Sequence, residues 1–251
     1  MIQRAVVISD CTDIAFAEMR GSIISSARHA GLDRDPVIEA LVPVHHFSVL
    51  NAGFVLRLMA EAYSTDTLLM VIMNSIQQRT ERIAGRLENG MHFEGTNTGA
   101  FGWLLRDFAV DECVELHDPG FVPFGGKFVH SPAVGKLLAG STLVDVGDAF
   151  PVESVRRVEP EPNQIVHVDN FGNGKFLLEG AFTEGQALTV ELDSGVEIGA
   201  VYGRRMMSHP DGTWVVYPGS SMNLHEIGEV RGPGLNRWAL APGEVVRISK
   251  T

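Results

Sequence analysis

Between residues 165 and 173 the chain reads Ile-Val-His-Val-Asp-Asn-Phe-Gly-Asn. Ile165, Val166 and Val168 have the character of a strand, and Gly172 permits the positive φ of a turn that most residues avoid. An acid, an aromatic ring and an amide (Asp169, Phe171 and Asn173) therefore stand two residues apart at a strand end. Such a trio suits a cation, a flat heterocycle and that heterocycle's hydrogen-bonding edge. The same residues also suit a plain hairpin turn, where Asp and Asn are common.

A second acid stands near the N-terminus. Ala5–Ser9 is a continuous apolar run, like a strand buried on both faces, and it leads into Asp10. Asp13 then caps a helix expected to run to Ala30. The strand-to-helix order puts Asp10 at the carboxyl end of its strand, where open α/β sheets bind ligands. An acid there takes ribose hydroxyls or caps the helix.

The elements that must position these groups follow in order. A strand over 37–44 precedes His45-His46-Phe47, and Ser48 caps a helix to Tyr63. A buried strand over 68–73 leads to Asn74 and a polar stretch through Arg82, which fits a solvated connection or an active-site loop. Glu88-Asn89-Gly90 signals a hairpin between two short strands. Gly95-Thr96-Asn97-Thr98-Gly99 turns into a helix carrying Phe101, Leu104, Leu105 and Phe108. A strand over 113–116, a Gly- and Pro-rich loop over 119–126 and a helix opened by Ser131-Pro132 complete this alternation, which predicts an α/β domain with a mostly parallel sheet flanked by helices. Beyond a Pro- and Glu-rich stretch only strands are expected, divided by Gly and Asp turns. The boundaries read from this are an α/β domain over 1–150, a linker over 151–163 and an all-β, barrel-like domain over 164–251.

Composition narrows the chemistry. The 251 residues carry a formal net charge of −11 and no basic stripe, which argues against nucleic acid as a partner. No apolar run is long enough to span a membrane, and no signal peptide is evident, so a cytoplasmic location is expected. Cys11 and Cys113 form neither a disulfide framework nor a metal pattern. Adjacent histidines such as His45 and His46 point to different sides of an extended chain, so no metal site is expected. There is no phosphate-binding loop, no dinucleotide fingerprint and no nucleophile-elbow serine.

Taken together, the ordered motifs resemble the S-adenosylmethionine (SAM) hydroxide adenosyltransferases, or SAM hydrolases, relatives of the SAM-dependent halogenases. They are Ser9-Asp10 with Met19-Arg20-Gly21, Phe47 before an Ala-containing helix, Gly95-Thr96-Asn97-Thr98-Gly99, Phe124 and Gly126 ahead of Pro132, Asp169-Asn170-Phe171-Gly172-Asn173, and Ser221 with Glu226-Ile227. The resemblance spans nearly the whole chain. It implies a homotrimer holding a small-molecule substrate between neighbouring subunits, with no cofactor. Carried over by position, Asp10 holds the ribose diol, Phe47 packs near the sugar, and Asp169 takes the methionine ammonium. Phe171 and Asn173 contact adenine, Ser221 contacts the methionine carboxylate, and Asn97, Phe124 and Gly126 complete the substrate set.

The resemblance also implies in-line displacement at the ribose 5′ carbon, with neutral methionine leaving. Water would be oriented here by Asn74, Gln77 or Arg82. The family's activating Asp falls on Asn74 and its His on Gly125, so slow turnover is expected, because an amide is no base at neutral pH. His45, His46 and His130 are the available replacement bases. Three readings follow: hydrolysis of SAM to adenosine and methionine, displacement by a halide, and a SAM- or adenosine-binding protein without catalysis.

Overall fold

The computed structural model describes residues 2–73 and 80–251, which form two compact units, one ending at Val158 and one beginning at Glu159. Asn74 and Gln77 lie outside the described residues.

The first unit is built on one sheet. Its strands are β1 (Arg4–Ser9), β2 (Val37–Ile38), β3 (Val42–Pro43), β4 (Thr67–Ile72), β5 (Arg82–Leu87), β6 (His92–Thr96), β7 (Val110–Leu116) and β8 (Gly147–Ala149). They lie in the order β2-β1-β4-β6-β5-β7-β8, with β3 also on β1. The expected strand over 37–44 is thus two short pieces, both parallel to β1. The sheet is mixed, with four of its seven strand pairings parallel. β2, β3, β1, β4 and β6 run parallel, whereas β5, β7 and β8 add antiparallel pairs. The Glu88-Asn89-Gly90 hairpin explains this: a tight turn joins only antiparallel strands, and a parallel neighbour needs a crossover. Gly90 takes φ +93° there, and the Leu87 amide donates to Met91 O at 2.8 Å.

Among the described residues four α-helices flank this sheet: α1 (Ile14–His29), α2 (Val49–Ala62), α3 (Gly102–Asp107) and α4 (Ser131–Leu138). Asp13 caps α1 by accepting from the Ala15 amide at 3.0 Å, and Ser48 caps α2 by accepting from the Asn51 amide at 3.2 Å. Strand alternation sorts the core. Ala5, Val7, Leu68, Met70 and Ile72 bury one face with Met19 and Ile23 of α1 and Val134 and Leu137 of α4. α1 and α4 approach closely because Gly135 has no Cβ; one there would sit 2.6 Å from Ile23 O. α2 and α3 meet through Phe54 and Trp103, whose ring centroids are 6.0 Å apart.

Residues 151–158, read from sequence as the first part of a linker, are fastened onto this unit. The Val158 amide donates to Gly99 O at 3.0 Å, and the Arg156 amide donates to Asn97 Oδ1 at 2.8 Å.

The second unit is all β, as expected. Its strands are β9 (Ile165–Val168), β10 (Gly174–Phe176), β11 (Ala187–Leu192), β12 (Glu197–Tyr202), β13 (Trp214–Pro218), β14 (His225–Glu229) and β15 (Val246–Lys250). Their order is β15-β11-β12-β13-β14-β10-β9, and only β12–β13 is a parallel pair. The sheet curls until its outer strands approach. A bridge pairs Gln164 with Val245, and the Ile165 amide donates to Glu244 O at 2.8 Å. Ile165, Phe176, Val190, Trp214, Val216 and Ile227 are buried inside this curl.

Candidate functional site

Within the first unit the candidate residues gather at the carboxyl ends of adjacent parallel strands, the usual ligand edge of an α/β sheet. Register aligns Ser9 with Ile72 and Val71 with Gly95, so Asp10, Met73 and Thr96 each continue past neighbouring strands at the same edge. Asp10 is only 6% exposed. Its Oδ2 accepts from the Phe47 amide at 3.0 Å, and Cys11 Sγ lies 3.7 Å from Oδ1.

Phe47 is held in an uncommon state. Its φ is +61°, a left-handed conformation that is costly for a bulky residue, yet its side chain is 52% exposed. The turn around it enforces that conformation. The Ser48 amide donates to His45 O at 3.1 Å, and the His45 amide donates to Oδ1 of the buried Asn51 at 2.8 Å. The ring gains little burial for this strain, and the backbone turn ties it to Asp10 through the Phe47 amide.

Phe124 is half-buried against the core. Gly126 is required beneath it, because a Cβ there would lie 2.8 Å from both Phe124 Cε2 and Met19 Sδ. Arg82 donates to Asp118 Oδ2 at 2.6 Å, and its guanidinium crowds Gly125, where a Cβ would lie 2.9 Å from Nη2. The place beside Gly125, where the resemblance puts a histidine, is therefore taken by Arg82.

Asn97 plays another part. Its amide hydrogens go to Glu81 Oε2 at 3.1 Å and Ser154 O at 3.3 Å, while Oδ1 takes the Arg156 amide. Both donors of this buried residue are committed, one to Glu81 and one to Ser154, and with its oxygen it pins the segment 154–156. Glu81 is held below the usual carboxylate range by its own backbone amide, against burial, with Asn97 and Arg156 helping.

Of the three histidines named as replacement bases, His130 is placed in a side-chain network. Its Nδ1 is in short contact with Glu94 Oε1, and its Nε2 is 3.2 Å from Thr96 Oγ1. His45 instead bonds the His46 carbonyl from its ring at 3.3 Å. Glu94 and Thr96 alternate along β6 and His130 is 36 residues from Glu94, so no local spacing announces the group.

In the second unit the turn between β9 and β10 is organised by Asp169. Its Oδ1 accepts from the amides of Phe171 and Asn173, both at 2.9 Å, and its Oδ2 accepts from Asn173 Nδ2 at 3.0 Å. Gly172 has φ +84°, and a Cβ there would lie 2.1 Å from Pro233 O, so no other residue fits. The result leaves the Phe171 ring 69% exposed beside the acid.

Next to this turn runs a polar row across four strands. Register sets His167 opposite Lys175, Lys175 opposite Glu226, and Glu226 opposite Tyr217. Lys175 pairs with Glu226 Oε1, and Tyr217 donates to Oε2 at 2.7 Å. Burial, reinforced by Glu226, drives the Tyr217 phenol strongly upward, so it stays a donor. Burial likewise lowers His167, with Lys175 adding to it and Asp169 and Glu226 opposing. The register puts the Asp169 turn beyond one side of this row and Ser221 beyond the other. Ser221 is buried, accepts from the Leu224 amide at 2.9 Å through its carbonyl, and precedes two left-handed residues, Met222 and Asn223.

Among the described residues no group of three or more His, Cys, Asp or Glu is arranged to hold a metal, and no helix is long and apolar enough to cross a membrane.

No family model and no curated protein matches the chain. Solved structures do. One, described as an uncharacterized conserved protein from Thermotoga maritima, superposes with a TM-score of 0.78 at 18% identity, over 98% of this chain and 100% of the other. A second, described as a conserved hypothetical protein from Thermus thermophilus, gives 0.73 at 20% identity, over 99% and 100%. At such identity the likeness is one of fold: an α/β unit with parallel strands joined to a curled β unit, shared over nearly the full length of all three chains.

Proposed function

We propose that the protein binds SAM and displaces methionine from the ribose 5′ carbon with water, giving adenosine and methionine. The observation that carries this reading is the pairing of a nearly buried Asp10 with a strained, exposed Phe47 at the carboxyl edge of the sheet. A carboxylate suits a ribose diol, and an aromatic face beside it suits the sugar and its substituents. The Asp169 turn supplies a second matched set. The ligand's ammonium fits the acid, of whose roughly four acceptor positions the turn itself uses three. The exposed Phe171 ring suits the adenine plane. The homotrimer belongs to the same proposal.

The chemistry asks little of a general acid, because a sulfonium releases neutral methionine. The site has to align water opposite sulfur and exclude competing solvent. Arg82, paired with Asp118 and packed over Gly125, is the described residue of the expected water-orienting set. Gly125 itself supports a second reading, a SAM- or adenosine-binding protein without turnover, since no imidazole can come from that position.

The test is to incubate the protein with SAM, with and without high chloride, and to separate the nucleosides by chromatography. Adenosine with equimolar methionine, abolished by Asp10→Ala or Asp169→Ala, is the expected result. A 5′-chlorinated nucleoside would move the protein to halide displacement. No product, with SAM still raising the melting temperature, would leave only the binding role.

A further inference from the structure

We propose that Thr96, His130 and Glu94 form a proton relay that activates the attacking water, an inference that rests on the SAM reading above. Glu94 and His130 are 0% and 2% exposed, so neither meets solvent directly. The Glu94 carboxylate accepts from His130 Nδ1, which selects the tautomer with a bare Nε2. That nitrogen faces Thr96 Oγ1 at 3.2 Å, so the threonine hydroxyl donates inward and turns its oxygen lone pairs outward. Thr96 is half-buried at the carboxyl end of β6, directly opposite Arg82 in the ladder. The chain therefore runs from the interior to the edge where the candidate residues gather.

Two features set this apart from an ordinary buried ion pair. Glu94 Oε2 is buried with no hydrogen-bond partner among the described residues, a cost that a pair present only for stability would avoid. His130 is also aimed by an unusual piece of backbone. Gly126–His130 is a single π-helical turn, a feature that recurs at functional sites. Gly126 O accepts both the Ser131 amide and, at 2.6 Å, Ser131 Oγ, which locks the turn.

The step balances without a co-reactant. The water oxygen forms its bond to the 5′ carbon as the carbon–sulfur bond breaks, and that electron pair stays on sulfur as neutral methionine. The water proton passes to Thr96 Oγ1, the Thr96 proton passes to His130 Nε2, and Glu94 faces the resulting imidazolium. His130 later returns the proton to solvent by the reverse path. A halide has no proton to give and gains nothing from this arrangement, so the relay favours water as nucleophile.

The test compares water with azide as nucleophile on SAM, in the full-length protein. Thr96→Val and His130→Gln are expected to lower kcat for adenosine formation by about 100-fold or more. KM should stay within about twofold, and formation of the 5′-azido nucleoside should be little changed. Thr96→Ser should restore most of the adenosine rate, and the double variant should be no slower than the slower single one. Thr96→Val replaces a half-buried side chain by one of the same shape, so it carries the test even where His130→Gln fails to fold. Adenosine formation at the wild-type rate in Thr96→Val, or equal loss with both nucleophiles, would overturn the relay while leaving SAM turnover standing. A wild-type protein that forms neither nucleoside would overturn the SAM reading, and the relay with it.

Discussion

The two units hold their polar residues in different ways. In the second, Lys175, Glu226 and Tyr217 are consecutive rungs on neighbouring strands, and Asp169 is satisfied by its own turn. Backbone register sets every distance there. In the first, each important bond joins residues far apart in the chain: Asp10 to Phe47, Arg82 to Asp118, Asn97 to Arg156, and Glu94 to His130. Apart from Glu94, which stands inside β6, these contacts lie at or beyond strand ends, where loops decide position. The second unit has a preset polar surface, while the first has a candidate site whose geometry is assembled by tertiary contacts and whose strain is visible at Phe47.

The largest effect that would sharpen this contrast is expected at the buried pair in the ladder. Lys175 and Glu226 side chains are 11% and 7% exposed, so Lys175→Met should destabilise the protein by about 3–5 kcal/mol by leaving Glu226 unpaired. The double change to Met and Leu should cost less than the single one, since it buries no lone charge. Denaturant unfolding measures both. Equal losses in the single and double variants would break the account of the ladder as a paired charge.

Next in size is Asn97→Ala. It removes two hydrogen bonds that hold 154–156 and a third to Glu81, and a loss of about 2–3 kcal/mol is expected. SAM affinity, measured by calorimetry, should change much less than it does in Asp10→Ala. A reverse ranking would return Asn97 to the substrate set.

Phe47→Gly should act in opposite directions on stability and binding. Glycine accepts φ +61° without strain, so stability should hold or rise by up to about 1 kcal/mol. Ligand affinity should fall, because the exposed ring is lost. Lower stability with unchanged affinity would show the ring to be a structural plug.

The smallest effect is a pH slope. Burial lowers His92, His167 and His225 below the ordinary imidazole value of 6.5. Both states are neutral above that value. Below it the unfolded chain binds protons that the fold refuses, so stability falls as pH drops until the folded values are passed. Two of these histidines lie in the second unit, and His167→Gln should flatten the fall in melting temperature between about pH 8 and about pH 5. Cys113, pushed up to about 11 by burial, contributes nothing in this range.

Much of the fold was legible because it rests on local chemistry. Asp13 and Ser48 cap the helices they precede, and the Glu88-Asn89-Gly90 turn joins antiparallel strands. Gly172 takes the positive φ that its turn needs. The break of 37–44 into two strands was not legible, since β2 and β3 share an edge with β1 that sequence periodicity does not reveal. The resemblance put Asn97 in the substrate set by its place in Gly95-Thr96-Asn97-Thr98-Gly99. Only the packing of 154–156 shows where its hydrogen bonds go.

The sequence by itself determined the change from α/β to all β, the caps, the turns and the two acids, because each follows from neighbours within a few residues. The tertiary structure decided which partners those groups meet. It fastened 151–158 to the first unit, filled the place beside Gly125 with Arg82, and brought Glu94, Thr96 and His130 into one line. Hydrogen bonds and ion pairs act over a few ångströms, and residues 36 apart reach that distance only once the sheet and its π turn have formed.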